Sequence, residues 1–125
     1  MALRESLLPD DWRRRGDADL SAAEILLENE GDTQVAAALV QQGVEKHLKA
    51  WLLARGWRLV KVHDLQRLLD DAVSYEPSLE DYYGLCEGLT AFYFVDRYPF
   101  VAEPPTAKVV RKALEDSLEF VDRLR

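Results

Sequence analysis

Apolar residues recur at helical spacing in five stretches of the chain, and turn-forming residues separate these stretches. We predict helices from Asp10 or Asp11 to about residue 29, over 33–55, from an Asp64 cap to about residue 75, over 78–97, and from Thr106 to about residue 124. No stretch alternates in the manner of a strand. The pattern therefore predicts an all-α protein, an up-and-down bundle of four to five helices that forms a single domain over residues 1–125.

The second predicted helix is apolar on two sides, which indicates a central position in the bundle. One stripe consists of Ala37, Val40, Val44, Leu48 and Trp51, and the other of Val35, Leu39, Ala50 and Leu53. Polar residues fill the sector between the two stripes, namely Gln34, Gln41, Gln42, Glu45 and Lys49. A central helix of this kind packs between neighbours or faces a second subunit.

Glu45 and Lys49 have the i, i+4 spacing and the order that stabilise an ion pair on a helix. Such a pair on a surface contributes little to stability. Between two apolar stripes the pair is expected to be partly buried, and it then needs further partners, which Gln41 and Gln42 can supply. A structural polar network and a network that faces a ligand are equally compatible with this pattern.

The net charge of −7 argues against a nucleic-acid partner unless the charge is unevenly distributed. Short connections favour antiparallel neighbours, which would bring residues 10–20, 45–67 and 95–112 to one end of the bundle. That end would carry 13 basic and 8 acidic residues. The sequence thus predicts a basic end within an acidic protein.

His63 lies at this predicted basic end, directly before the Asp64 cap. It either satisfies the turn or acts as the group that titrates near neutral pH. Arg97, Tyr98 and Pro99 form the other candidate, because the arginine can hold a phosphate and the tyrosine can stack on a base. Arg97 can equally neutralise the carbonyl end of its own helix.

The remaining candidate side chains are not expected to take part in catalysis or in metal binding. His47 is expected to be a packing residue, and Cys86 a buried core thiol rather than a nucleophile. Neither histidine belongs to a ligand cluster, so we expect no metal, and no motif calls for a cofactor. With one cysteine and no apolar run of about 20 residues, the expected location is the cytoplasm and no membrane partner is expected.

Taken together, these motifs resemble the HEPN family. The resemblance covers roughly residues 12–122 and rests on the order and spacing of DADLSAAEILL, QQGVEKHLKAWLLARG, KVHDLQRLL and DRYPF. It implies a small helical bundle, similar to the substrate-binding subunits that accompany minimal nucleotidyltransferases, and usually a homodimer. It also implies a nucleotide- or RNA-binding module, and possible pairing with a nucleotidyltransferase in a toxin–antitoxin-like system.

The resemblance assigns ligand binding to a set of residues drawn from these motifs: Gln42, Glu45, Lys49, His63, Asp64, Arg97 and Tyr98. Ribonucleases of the family carry an Arg-x(4–6)-His motif in a late helix, but no histidine follows Arg97 here. The spacing from Arg58 to His63 fits the motif only in a loop. We therefore expect a binding module rather than an enzyme. The alternatives are a metal-independent endoribonuclease that uses His63 and an arginine, and an oligomerisation scaffold.

Overall fold

The computed structural model describes residues 4–97 and 103–125, with side chains described at 4–92 and 103–125. These residues form five α-helices and one 3-10 helix. They are α1 (Pro9–Glu28), α2 (Thr33–Leu53), α3 (Leu65–Tyr75), the 3-10 helix (Pro77–Tyr82), α4 (Tyr83–Arg97) and α5 (Ala107–Arg123). The predicted all-α bundle is confirmed.

Side-chain caps explain where most of the helices begin. Asp32 accepts a hydrogen bond from Val35 N at 2.9 Å, Asp64 from Gln66 N at 3.0 Å, and Thr106 from Val109 N at 3.3 Å. The predicted cap of α1 was wrong. That helix begins at Pro9 after Leu8, which makes no side-chain cap, because proline already supplies helical geometry at the first position.

The core surrounds α2, which contacts α1, α3, α4 and α5. Val40, Val44 and Leu48 are fully buried, as the first stripe predicted. The second stripe is only partly buried, since Ala50 is inaccessible whereas Val35 is 48% exposed. The last regular residue of α2 is Leu53, and Gly56 ends the helix as a glycine C-cap, since it adopts a φ of 85° and Trp57 N donates to the carbonyl of Leu52 at 3.1 Å.

A glycine contact sets the closest approach of α1 to α2. A Cβ at Gly16 would lie 2.7 Å from Cδ2 of His47, and one at Gly43 would lie 2.7 Å from Cγ of Leu20. The helix α1 is continuous through Gly16. The missing Cβ atoms let the two backbones approach each other and bring the start of α1 against the later part of α2.

The third helix runs in the same general direction as α2. His63, just before α3, contacts Glu45, whereas Tyr75 at its end packs edge-on against Trp51, further along α2. The connection over residues 54–64 therefore returns alongside α2 before α3 begins. Strict alternation of helix direction fails at this connection, because it is long enough to travel back along its neighbour.

This reversal contradicts the predicted basic end. Arg111, near the start of α5, donates to the carbonyl of Leu27 near the end of α1, at 3.3 Å. Arg125 contacts Asp17, near the start of α1, at 2.7 Å. Hence α5 is antiparallel to α1, and the basic residues of 107–112 lie at the opposite end of the bundle from residues 10–20.

The described helices, between residues 4 and 97 and between 103 and 125, are all too short or too polar to span a membrane.

Candidate functional site

The polar sector of α2 and the residue before α3 form one hydrogen-bonded network around the Glu45 carboxylate. Oε2 accepts from Nζ of Lys49 at 3.2 Å, and Oε1 accepts from Nε2 of Gln41 at 3.3 Å. Nδ1 of His63 lies 3.1 Å from Oε1 and 3.2 Å from Oε2. The amide of Gln41 also donates to the His63 carbonyl at 3.4 Å, so it fixes both the carboxylate and the loop.

Burial divides this network into an inner and an outer part. Gln41, Glu45 and Lys49 are 1%, 6% and 2% exposed, whereas the side chain of His63 is 59% exposed. A ligand in solution can therefore meet the imidazole, but it cannot reach the ammonium or most of the carboxylate. Burial therefore disfavours the predicted direct contacts of Glu45 and Lys49 with a ligand.

The network determines which nitrogen of His63 carries a proton. An ionised carboxylate only accepts hydrogen bonds, so the Nδ1 that lies against Glu45 is the donor. In a neutral imidazole Nε2 is then the nitrogen with the lone pair. Such a carboxylate fixes both the tautomer and the orientation of the ring.

An aromatic side chain from α1 completes the inner part of the network. Nζ of Lys49 lies 5.3 Å from the centre of the Trp12 ring, a distance at which the ring face attracts a cation. The indole nitrogen of Trp12 donates a hydrogen bond to the carbonyl of Ser6 at 2.8 Å, which holds the ring in place. Sequence reasoning missed Trp12, because only the glycine contact between α1 and α2 brings it to Lys49.

The other predicted site residues differ in their outcomes. Gln42 is half-buried, and no hydrogen bond joins it to the described part of the network. Asp64 is exposed, and its carboxylate caps α3. Arg97 ends α4, but its side chain and the whole of Tyr98 lie outside the described residues, so their predicted roles remain predictions.

His47 is buried, as predicted, but it is also part of a second polar contact. Its Nε2 lies 2.9 Å from Oδ1 of Asp17, and the ring is 1% exposed. Burial lowers the pKa of His47, and the Asp17 carboxylate only partly opposes that shift. The ring is therefore neutral near pH 7 and contributes to packing.

Cys86 is fully buried, and desolvation raises its pKa to about 12. A thiol in this state is not a nucleophile at neutral pH, which agrees with the prediction of a core residue. Among the described side chains, no group of three or more histidine, cysteine, aspartate or glutamate residues is placed to hold a metal ion.

Comparison with known families agrees with the all-helical fold. The model of the HEPN domain matches residues 9–125, nearly the whole chain. The chain belongs to the HEPN family. At the level of the family, membership supports a nucleotide- or RNA-related module. No curated protein and no solved structure matches this HEPN chain significantly.

Proposed function

We propose that this HEPN protein binds a nucleotide or a segment of RNA, and that His63 is the residue of the network that meets the ligand. The observation that carries the proposal is an exposed imidazole held by a buried, charge-neutralised carboxylate. The imidazole would contact a phosphate when protonated and a base edge when neutral. Glu45 and Lys49 would act by positioning it.

The cost of the buried ion pair supports a positioning role. Removing two charges from water is so unfavourable that replacing a buried ion pair with apolar side chains of similar volume often leaves a protein equally stable or more stable. Glu45 and Lys49 nevertheless both lie buried within α2. A carboxylate that must orient an exposed imidazole accounts for Glu45, and the need to neutralise that carboxylate accounts for Lys49.

The surroundings of His63 provide positive charge for a phosphate. Arg58, Lys61 and Arg67 are all exposed and lie within five positions of His63 along the chain. The N-terminus of α3 contributes less, because the Asp64 carboxylate already accepts one of its amide hydrogens. Binding is therefore expected to weaken as salt concentration rises.

Calorimetric titration with nucleotides and short RNA strands at two salt concentrations tests the proposal. We expect wild-type protein to bind at least one of these ligands, and His63→Ala to lose about tenfold or more in affinity. Arg97→Ala tests the second predicted contact. Lys108→Ala is the matched control, because Lys108 is an exposed cation at the start of α5, away from His63 and outside the groove between α4 and α5. Absence of binding to every ligand, or equal binding by His63→Ala, would contradict the proposal.

A second candidate function is metal-independent cleavage of RNA, and the contact between Glu45 and His63 is the observation that favours it. A carboxylate that orients an imidazole is a common arrangement for general acid–base catalysis. Incubation of RNA with the protein in EDTA, beside the His63→Ala variant, distinguishes binding from cleavage. Cleavage that depends on His63 would favour the enzyme, and intact RNA would favour the binding module.

We also propose that the protein acts as a homodimer. A groove of about 410 Å³ between α4 and α5 supports a helical contact there, since Leu85 and Phe92 line it and Gly84 and Gly88 leave open space. Light scattering tests the dimer by comparing the molar mass of the wild-type protein with that of Gly88→Leu, which places a large side chain in the groove. A monomeric wild type would contradict it, whereas a dimer that binds no ligand would favour the oligomerisation scaffold.

A nucleotidyltransferase partner and a toxin–antitoxin-like role complete the proposal. Both rest on the family resemblance. Co-expression with a nucleotidyltransferase encoded next to this chain, followed by co-purification and a growth assay, tests them together. A nucleotide or RNA ligand and a single cysteine fit a cytoplasmic location, which cell fractionation would check.

A further inference from the structure

A second surface, remote from His63, lies between α1 and α5. It is a groove of about 280 Å³ whose floor is formed by Leu27 and Leu114. Leu118 stands at its edge and is 39% exposed. An apolar floor with an exposed leucine beside it is suited to an apolar side chain of a partner.

Three carboxylates surround this apolar floor. Glu24 and Glu28 come from α1 and Glu115 comes from α5, and all three are exposed. None of them forms an ion pair with a described residue. The basic residue in the groove, Arg111, donates to the Leu27 carbonyl at 3.3 Å.

The position of two of these carboxylates is unfavourable for α1 itself. Glu24 and Glu28 are four residues apart on the same helix, where like charges repel each other. Glu28 is also the last residue of α1, and the last turn contains no basic residue, although the C-terminal end of a helix favours cations. A cationic partner would relieve both effects.

We propose that this acidic groove docks a basic amphipathic helix of a partner protein. An apolar side chain of the partner occupies the floor over Leu27 and Leu114. Lysines or arginines that flank it on the same helical face pair with Glu24, Glu28 and Glu115. Because the rim is negatively charged, it favours a basic partner over an anionic ligand. The groove therefore has a role separate from that of the proposed ligand site at His63.

Three synthetic peptides test the proposal by fluorescence anisotropy at low and high salt. The first carries leucine and lysine at helical spacing. The second has the same composition in strict alternation, which removes the apolar helical face. The third replaces each lysine of the first with glutamate. We expect only the first peptide to bind well. The backbone amides of the protein whose chemical shifts change on binding should lie in α1 and α5.

Two triple variants with the same loss of charge separate docking from general attraction to an acidic protein. Glu24→Gln/Glu28→Gln/Glu115→Gln removes the rim, whereas Glu80→Gln/Glu87→Gln/Glu103→Gln neutralises exposed residues elsewhere. We expect the rim variant to weaken binding about tenfold, the effect of several exposed ion pairs together. The control variant should stay within about twofold. Leu118→Gln should also weaken binding, while circular dichroism shows an unchanged fold.

Several outcomes would overturn this inference. They are no binding of the first peptide, equal losses in the two triple variants, or chemical-shift changes that map elsewhere. A change of oligomeric state in the rim variant would instead assign the groove to a second copy of the chain. His63→Ala should bind the peptide as wild type does, so failure of the nucleotide proposal leaves this test unaffected.

Discussion

Replacing Glu45 with methionine tests the buried ion pair most severely. Methionine has nearly the same length as glutamate but no charge, so Lys49 would keep its ammonium group at 2% exposure without a carboxylate partner. Removing one member of a buried pair costs about 3–5 kcal/mol, because the other charge is left uncompensated. This is a large part of the roughly 5–15 kcal/mol that stabilises a typical domain.

The double variant Glu45→Met/Lys49→Met is expected to behave differently. It removes both charges and fills their volume, and such replacements are often neutral or stabilising by about 1–4 kcal/mol. Lys112→Met is the exposed control, since the Lys112–Asp116 pair is worth at most about 1 kcal/mol. The single variant should thus be far less stable than either the double variant or the control.

Urea unfolding followed by circular dichroism at pH 7 measures these differences. With a slope of about 1.5 kcal/mol per molar urea, the single variant should lower the midpoint by about 2 M or more. A loss below about 1 kcal/mol would mean that the Lys49 ammonium reaches water or is not charged. A double variant as unstable as the single one would mean that the polar contacts themselves hold α2 in place. Either result would refute the reasoning.

Three further predictions test packing and titration. Gly43→Ala should destabilise the fold by about 1–3 kcal/mol in the same unfolding assay, because the new Cβ would lie 2.7 Å from Cγ of the Leu20 side chain, and an unchanged stability would contradict this close packing. The lowered pKa of His47 means that the unfolded chain takes up a proton near the ordinary value of 6.5 and the folded chain only at lower pH, so stability should fall from pH 7 to pH 5 and fall less in His47→Gln. Equal slopes in the two proteins would contradict that cause. Cys86, with a pKa raised to about 12, should react with a thiol reagent at pH 8 only after unfolding in urea, and a native rate within about tenfold of the unfolded rate would contradict its burial.

Local patterns were sufficient to predict five helical segments and much of the core, but the start of the predicted fourth helix over 78–97 was wrong, because Pro77–Tyr82 form a 3-10 helix and α4 begins at Tyr83. Leu20, Ala23 and Leu27 of α1 are all buried, as their spacing required. The Asp64 cap acts two residues along the chain, so the sequence alone identified it, whereas the sequence left Asp32 and Thr33 open as the cap of α2 and the structure shows Asp32 in that role. The cap of α1 was misplaced because either of two aspartates fits the pattern, whereas Pro9 was sufficient to begin the helix.

Non-local geometry limited what the sequence could predict. The directions of α3 and α5 depend on how residues 54–64 return along α2, and no periodicity encodes that path. The predicted basic end failed for this reason. Contacts between residues on one helix were predicted more successfully, since the i, i+4 spacing of Glu45 and Lys49 already fixes their contact.

At the candidate site, too, contacts within one helix could be predicted from the sequence, whereas burial could not. Gln41 was expected to join the Glu45–Lys49 pair, and it does so through its amide. The degree of burial remained undecided, because it depends on every helix packed around α2. That burial leaves His63 as the exposed member of the network and is the reason why we propose a positioning role for Glu45.

One titration series tests the central claim that the buried pair exists to hold His63 for a ligand. The series measures binding of the same RNA strand or nucleotide by wild-type protein, His63→Ala and Glu45→Met/Lys49→Met. We predict that the double variant folds with near wild-type stability and yet loses about tenfold or more in affinity, as His63→Ala does. A stable double variant that binds as tightly as the wild type would contradict the claim.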